Sequence, residues 1–212
     1  MYFPKINKKL LEKIVSFENT DIIFESLRKG KGLFMLGGHI SNWEMQASAF
    51  SRVLNARING VAKPQTNSLV NKKIIEYREL GGSKVIEIGG SLRSIYTLLN
   101  KNEIVLFLMD QSANPDYSVY AEFYGYKIAT FTGPAKMALK NRTDIVFAYA
   151  YRKPDYSYVV RAERLIYDDL TEYSGDNIAE LTGRINSMLE NVIREYPDQW
   201  HWFHRRFKHI KN

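Results

Sequence analysis

Short apolar segments alternate with segments of helical periodicity between Gly32 and Met109, and this alternation restricts the possible folds more than any other feature. The segments predicted as β-strands are Gly32–Gly37, Ala56–Ala62, Lys84–Ile88 and Glu103–Met109. The segments predicted as helices between them are Ser41–Leu54, Thr66–Leu80 and Ser91–Asn100. Strands that are joined by helices pair mostly in parallel. The chain is therefore predicted to be an α/β protein with a mixed, mostly parallel central sheet flanked by helices.

The remaining segments extend this pattern at both ends of the chain. Residues 1–30 are predicted to be helical, with Leu10, Leu11, Ile14 and Val15 at helical spacing and a second short helix over Ile22–Leu27. The later predicted strands are Tyr117–Phe123, Tyr126–Thr130, Asp144–Arg152 and Ser157–Leu165, the last two as an antiparallel pair. The later predicted helices are Gly133–Lys140 and Ile178–Glu195. Since no linker stands out, residues 1–212 are predicted to form a single domain, with 1–30 as an N-terminal helical segment and 31–212 as the core with a basic, aromatic tail.

The composition excludes several kinds of chemistry. The chain has no cysteine, which rules out thiol nucleophiles, disulfides, zinc–thiolate sites and cysteine-bound iron–sulfur clusters. Its formal net charge of +7 favours an anionic partner such as a membrane surface, a nucleic acid or an acidic carrier protein. No segment reaches the roughly 18 apolar residues that a membrane-spanning helix requires. The chain is therefore expected to be cytoplasmic, or peripheral to a membrane.

One motif carries a candidate catalytic pair. His39 and Glu44 lie where the first strong strand meets the next helix, within Gly37-Gly38-His39-Ile40-Ser41-Asn42-Trp43-Glu44, and sites in open α/β sheets collect at such strand ends. The glycines permit a tight turn and a close backbone approach. The Glu44 carboxylate could reach one imidazole nitrogen and leave the other to remove a proton from a hydroxyl group.

A purely structural alternative fits the same residues. Ser41-Asn42-Trp43-Glu44 also matches a helix capping box, in which Glu44 would accept a hydrogen bond from the Ser41 N–H. The position of the Glu44 carboxylate distinguishes the two. A catalytic pair requires a hydrogen bond to His39, whereas a capping box requires one to the start of the helix.

Beyond this motif the chain resembles the bacterial lipid A biosynthesis acyltransferases, relatives of the glycerolphosphate acyltransferases. Residues 37–44 resemble the His-x4-Asp/Glu signature of that family. Three further segments resemble its later motifs in the same order, namely Asp110-Gln111, Phe123–Ala138 and Pro197–Phe207. The resemblance covers about Gly30 to Lys208. Members of the family usually begin with an apolar membrane-anchoring helix, which this sequence does not display, so we expect a peripheral association with the cytoplasmic face of the bacterial inner membrane.

The resemblance implies a glycerolphosphate-acyltransferase-like fold and transfer of a fatty acyl group to a hydroxyl of a lipid A precursor. The acyl donor would be acyl-carrier protein or acyl-CoA, with His39 as general base and Glu44 as its orienting partner. The alternatives are the same chemistry on a glycolipid, an amino-acid lipid or a lysophospholipid, or a non-catalytic basic membrane-binding domain. No cofactor and no metal are expected, and nucleic acid is not the expected partner.

Further residues are candidates for binding rather than for proton transfer. The candidates for substrate binding or oxyanion stabilisation are Gly38, Asn42, Arg78, Asp110 and Gln111. Asp110 and Arg78 each have a structural alternative, as a strand-end cap and as a helix-surface charge. The tail mixes aromatic and cationic side chains, a combination typical of a bilayer interface or an anionic head group and also suited to nucleic-acid stacking. Its structural alternative is a terminal segment that packs on the core and keeps its cations at the surface. Its candidates for membrane or head-group contact are Trp200, Trp202, Arg205 and Arg206.

Overall fold

The fold is built around a seven-stranded sheet with a small three-stranded sheet beside it. A computed structural model describes residues 6–87 and 92–211. The helices are α1 Lys8–Ile14, α2 Asp21–Arg28, α3 Trp43–Arg52, α4 Ser68–Leu80, α5 Leu92–Asn100, α6 Gly133–Asn141 and α7 Gly175–Glu195. The strands are β1 Val15–Glu18, β2 Leu33–Gly37, β3 Ile58–Ala62, β4 Lys84–Glu87, β5 Ile104–Leu108, β6 Ser118–Phe123, β7 Tyr126–Phe131, β8 Ile145–Arg152, β9 Tyr158–Leu165 and β10 Ile210–Lys211. Ile88 and Ser91, the predicted ends of a strand and a helix, lie outside the described residues.

The large sheet confirms the predicted fold class. Its strand order is β1-β9-β8-β2-β5-β3-β4, and within the described residues every neighbouring pair is parallel except β8 with β9. The predicted antiparallel pairing of residues 144–152 with 157–165 is confirmed by the register from Ile145↔Leu165 to Arg152↔Tyr158. The result is a mixed, mostly parallel sheet whose central strands β2 and β5 end side by side, with Gly37 opposite Leu108.

Both faces of the sheet are covered by helices. Successive side chains of a strand point to opposite faces, and β2 shows this directly. Phe34 and Leu36 pack in one apolar cluster, which takes in residues of α5, α6 and α7. Leu33 and Met35 pack in the other, which takes in residues of α1, α2 and α3. Because β2 is buried on both sides, its sequence is a continuous apolar run rather than an alternating one.

The N-terminal segment departs from the prediction. Residues 8–14 and 21–28 form the two expected helices, but Val15, predicted to continue the first helix, begins strand β1 instead. β1 pairs in parallel with β9 from Val15↔Tyr158 to Glu18↔Arg161 and extends the edge of the sheet. Helical spacing over so few residues does not exclude an extended conformation, and pairing with a distant strand decides the outcome here.

The tail also contributes a strand that the sequence pattern did not predict. β6 and β7 form an antiparallel hairpin, and β10 pairs with β7 through Ile210↔Ile128 and Lys211↔Lys127. The end of the described chain is thereby attached to the small sheet. Among residues 6–87 and 92–211, no helix has the length and apolar character needed to cross a bilayer.

Candidate active site

His39 and Asp110 form the centre of the candidate site. His39 follows β2 by two residues and Asp110 follows β5 by two residues, and these strands are parallel neighbours that end together. Nδ1 of His39 lies 2.7 Å from Oδ1 of Asp110, and the backbone N–H of His39 donates to Oδ2 at 2.7 Å. The same carboxylate therefore fixes both the ring and the main chain of His39.

The environment of Asp110 keeps its carboxyl group ionised. Its side chain is 2% exposed, and burial by itself would raise its pKa. The hydrogen bonds and positive charge of His39, together with the indole N–H of Trp200, outweigh burial and hold the Asp110 pKa below its usual value. An ionised Asp110 accepts a hydrogen bond from Nδ1–H of the imidazole, so in the neutral ring Nε2 of His39 is the nitrogen that can accept a proton. The His39 side chain is 19% exposed, so the ring is partly open to solvent.

The predicted contact between Glu44 and His39 is absent from the structure. Glu44 instead binds Arg78 of α4, whose Nε lies 3.1 and 3.0 Å from the two carboxylate oxygens, with Nη2 at 2.5 Å from Oε1. The reason is positional, because Asp110 occupies the Nδ1 side of the imidazole and Glu44 lies in the first turn of α3, facing α4. The partner role that the sequence assigned to Glu44 is taken, in geometry, by Asp110.

The capping-box alternative is also absent. The N-cap of α3 is Asn42, whose side-chain oxygen accepts a hydrogen bond from the backbone N–H of Met45 at 3.1 Å. The Ser41 N–H donates to the carbonyl of Gln199 at 2.6 Å, not to Glu44. Glu44 thus makes neither of the two predicted hydrogen bonds, and its ion pair with Arg78 links the start of α3 to the end of α4. Arg78, one of the predicted oxyanion candidates, is held by this pair.

Gly37 and Gly38 are required here for close packing rather than for a left-handed backbone, since neither has a positive φ. A Cβ on Gly37 would stand 2.7 Å from the backbone oxygen of Ala148. A Cβ on Gly38 would stand 2.8 Å from Leu189 and 3.4 Å from the Asp110 carboxylate. The predicted close approach is therefore observed, and it lets the histidine segment lie against both β8 and Asp110.

The C-terminal segment holds the histidine segment in place. Ile40 and Trp200 form an isolated antiparallel bridge, and the backbone N–H of His201 donates to the carbonyl of His39 at 3.0 Å. Nε1 of Trp200 donates to Oδ2 of Asp110 at 2.9 Å. Trp43 closes another side of the imidazole, with its ring edge-on to His39 at 4.8 Å between centroids.

Two of the four predicted membrane residues are buried. Trp200 is in the core, where it binds Asp110. Arg206 is 1% exposed and donates to the carbonyls of Gln111 and Ala129, to Oγ1 of Thr130 and to Oδ1 of Asn186. Neither can meet a lipid head group in this fold, because the tail folds back onto the small sheet. Trp202 and Arg205 are exposed, as a membrane contact requires.

Arg206 places a buried positive charge beneath the loop that follows Asp110. Burial lowers its pKa to about 10, and the negative charge of Asp110 acts in the opposite direction. The guanidinium therefore stays protonated at neutral pH, and its ring contact is with Phe123, at 5.3 Å. Gln111, a predicted binding residue, contributes its carbonyl oxygen to Arg206 while its side chain is exposed.

Sequence reasoning did not identify Trp200 as a hydrogen-bond donor to the site, nor Asp110 as the partner of His39. The sequence did contain a signal for Asp110. Asp110 follows the end of β5 by two residues and His39 follows the end of β2 by two residues, so two adjacent parallel strands place them side by side. No comparable local signal exists for Trp200, which is 90 residues away from Asp110 in the chain. An imidazole backed by a buried carboxylate at the end of a parallel sheet is the arrangement of an enzyme that uses a general base.

Comparisons with known proteins identify a family of enzymes. The family model described as bacterial lipid A biosynthesis acyltransferase matches residues 1–209. The chain is 27% identical over 206 residues to the lipid A biosynthesis palmitoleoyltransferase of Escherichia coli strain K12, covering 93% of this chain and 63% of that protein. It is 26% identical over 183 residues to the lipid A biosynthesis lauroyltransferase of the same strain, covering 84% of this chain and 56% of that protein.

A lipid A biosynthesis acyltransferase of Haemophilus influenzae is 22% identical over 200 residues, which cover 92% of this chain and 60% of that protein. The chain thus spans less than two thirds of the length of these relatives. It belongs to the bacterial lipid A biosynthesis acyltransferase family.

The ion pair between Glu44 and Arg78 predicts a coupling that a contact between Glu44 and His39 would not produce. In a double-mutant cycle of Glu44→Gln and Arg78→Gln, we expect a coupling energy of about 0.5–1 kcal/mol in the free energy of unfolding, because the pair is bidentate but partly exposed. Urea denaturation of the four proteins measures it. Additive effects would contradict the pairing, and the cycle of Glu44→Gln with His39→Gln serves as the control that should be additive.

The hydrogen bond from Trp200 to Asp110 predicts a pH-dependent loss of stability in Trp200→Phe. The variant keeps an aromatic ring but removes the donor, so we expect a loss of about 1.5–3 kcal/mol at pH 7. The lowered pKa of Asp110 contributes stability that is present above its unfolded pKa of about 3.9 and is lost as the pH falls through the lower folded pKa. The difference between variant and wild type should therefore shrink below about pH 4.

Trp202→Phe is the matched control, because the Trp202 ring is 55% exposed and its indole donates to the carbonyl of Pro197 rather than to a carboxylate. Urea unfolding at a series of pH values measures both variants. A Trp200→Phe deficit that stays constant as the pH falls through the folded pKa of Asp110 would show that the charge of Asp110 is not involved.

Proposed function

We propose that this chain is an O-acyltransferase that moves a fatty acyl group from acyl-carrier protein or acyl-CoA to a hydroxyl of a lipid A precursor. The observation that carries the proposal is the His39–Asp110 pair at the carboxyl ends of β2 and β5. Family membership supplies the reaction class, and two relatives are named for transfer of palmitoleoyl and lauroyl groups in lipid A biosynthesis.

The proposed chemistry begins with removal of a proton from the acceptor hydroxyl by Nε2 of His39. The oxygen forms a bond to the thioester carbonyl carbon as it loses its proton, and a tetrahedral oxyanion results. Asp110 stabilises the imidazolium that forms, because its buried carboxylate already binds Nδ1. Collapse of the oxyanion breaks the carbon–sulfur bond, and the imidazolium returns the proton to the departing thiolate. The acyl group passes directly to the acceptor, and no acyl-enzyme forms.

The oxyanion requires hydrogen-bond donors, and the backbone N–H of Gly38 and the Arg78 guanidinium are the proposed ones, because the N–H groups of the next three residues already donate within the protein. The contact between Arg78 and Glu44 changes the role that we assign to Glu44. Since its carboxylate binds Arg78 at 2.5 to 3.1 Å, Glu44 would position that guanidinium instead of orienting His39. Asn42 supports the same region by capping α3.

A peripheral position on an anionic membrane, at the cytoplasmic face of the bacterial inner membrane, is part of the proposal. Phe203 is 93% exposed and Trp202 is 55% exposed, and the cation Arg205 lies next to them in the chain. Exposed aromatic rings beside cations suit the interface of an anionic bilayer. The formal net charge of +7 acts in the same direction and also favours an acidic carrier protein as donor.

The experiment is the transfer assay with the His39→Ala variant. Loss of a general base typically lowers turnover about 10²–10⁴-fold, and we expect a loss on that scale. The assay incubates protein with acyl thioesters and a bacterial membrane lipid extract and identifies acylated products by mass spectrometry. Lys101→Ala, an exposed change at the turn after α5, is the control and should retain full activity. Equal product formation by His39→Ala and wild type would refute the proposed role.

A further inference from the structure

A cavity of about 590 Å³ lies between the loop that follows Asp110 and the C-terminal tail. Ser112 and Asn114 line it from the loop, and His204, Arg205 and Lys208 line it from the tail. It is separate from the His39–Asp110 contact, and it shares Phe203 and Arg205 with the surface proposed above to meet the membrane.

The cavity carries positive charge that the described part of the protein does not neutralise. Arg205 and Lys208 are exposed and form no ion pair with a described residue, whereas Arg161 and Arg184 are each bound by two carboxylates. No acidic side chain is among the described residues that line the cavity. Its two cations are therefore available to an anionic ligand.

Neutral donors accompany the two cations. Nε2 of His204 accepts a hydrogen bond from the backbone N–H of Ser112 at 2.9 Å, so a neutral His204 ring carries its proton on Nδ1. Burial lowers the pKa of His204, which favours this neutral form at pH 7. The Ser112 hydroxyl oxygen is buried and makes no hydrogen bond to any described residue. A buried hydroxyl without a partner is costly, and a ligand oxygen in the cavity can supply that partner after rotation of the side chain.

The cavity is close enough to His39 to share a substrate with it. The rings of His39 and His201 are 6.4 Å apart between centroids, and those of His201 and Phe203 are 5.8 Å apart. Phe203 lines the cavity. The His201 ring therefore lies between His39 and Phe203 at the edge of the cavity, with centroid distances of 6.4 and 5.8 Å. One extended substrate can span this distance.

We propose that this cavity binds a phosphate ester of a substrate and so anchors that substrate for reaction at His39. An arginine, a lysine and neutral donors match a group that has several strong acceptor oxygens and a negative charge. The inference rests on the proposed acyl transfer for the identity of the substrate. The phosphate can belong to the pantetheine arm of the acyl donor or to a phosphorylated sugar of the lipid acceptor, and the chemistry of recognition is the same for both.

The first experiment measures binding without turnover. Inorganic phosphate, 4′-phosphopantetheine and glucosamine 1-phosphate are titrated into the full chain by NMR at constant ionic strength, with pantetheine and glucosamine as phosphate-free counterparts. Arg205→Gln combined with Lys208→Gln should weaken binding of inorganic phosphate at least 10-fold. The charge-matched control, Lys101→Gln combined with Lys153→Gln, changes two exposed lysines elsewhere and should bind phosphate as the wild type does.

A third variant separates a defined site from general charge attraction. Ser112→Ala keeps every charge, and we expect it to weaken phosphate binding several-fold through loss of the hydroxyl. Equal weakening in the two charge-matched double variants, with no effect of Ser112→Ala, would show attraction to net charge alone and would overturn the proposal. Phosphate binding that is unaffected by Arg205→Gln with Lys208→Gln would overturn it as well.

Steady-state kinetics then assign the phosphate to one substrate. The lipid acceptor is supplied in neutral detergent micelles, so that loss of the Arg205 charge does not change attraction to an anionic membrane. In the Arg205→Gln and Lys208→Gln double variant, a higher KM for the acyl thioester then places the donor phosphate in the cavity, and a higher KM for the lipid places the acceptor phosphate there. Weaker phosphate binding with neither KM raised would overturn the substrate assignment. The His39→Ala variant keeps the two proposals apart, since it should bind phosphate normally and lose acyl transfer.

Discussion

The carboxylate of Asp110 accepts hydrogen bonds from three groups, and the geometry of the candidate site depends on it. Two of these groups are the main chain and the ring of His39, and the third is the indole of Trp200. A buried carboxylate without such donors would take up a proton, and an uncharged Asp110 would no longer fix the tautomer of His39. The three hydrogen bonds therefore keep Asp110 ionised, and the charge on Asp110 in turn holds the three donors in place.

His39 and Asp110 can meet because the two parallel strands that precede them end together. β2 and β5 are paired up to Gly37 and Leu108, so the residues that follow them emerge at one edge of the sheet. The position was predictable, since alternating strands and helices imply a parallel sheet, and such sheets collect functional groups beyond their carboxyl ends. The fold class and the place of His39 therefore followed from local patterns in the chain.

Which carboxylate binds His39 could not be predicted from spacing. Glu44 was close to His39 in sequence, but the direction of α3 turns it toward Arg78, and that direction is set by packing against other elements. The division of the tail into buried and exposed residues could not be predicted for the same reason. The aromatic and cationic composition of the tail is compatible with contact to a bilayer at all four residues. In the structure Trp200 and Arg206 are core residues, whereas Trp202 and Arg205 are exposed. Composition predicts the partners a segment could have, and long-range contacts decide which ones it meets.

The bridge between Ile40 and Trp200 joins parts of the chain that are 160 positions apart. Trp200 is synthesised after both His39 and Asp110, so a growing chain lacks the indole that helps to keep Asp110 ionised until Trp200 has been added and has packed against the histidine segment. The geometry around His39 is therefore completed by a contact between distant parts of the chain and cannot form from the histidine segment alone.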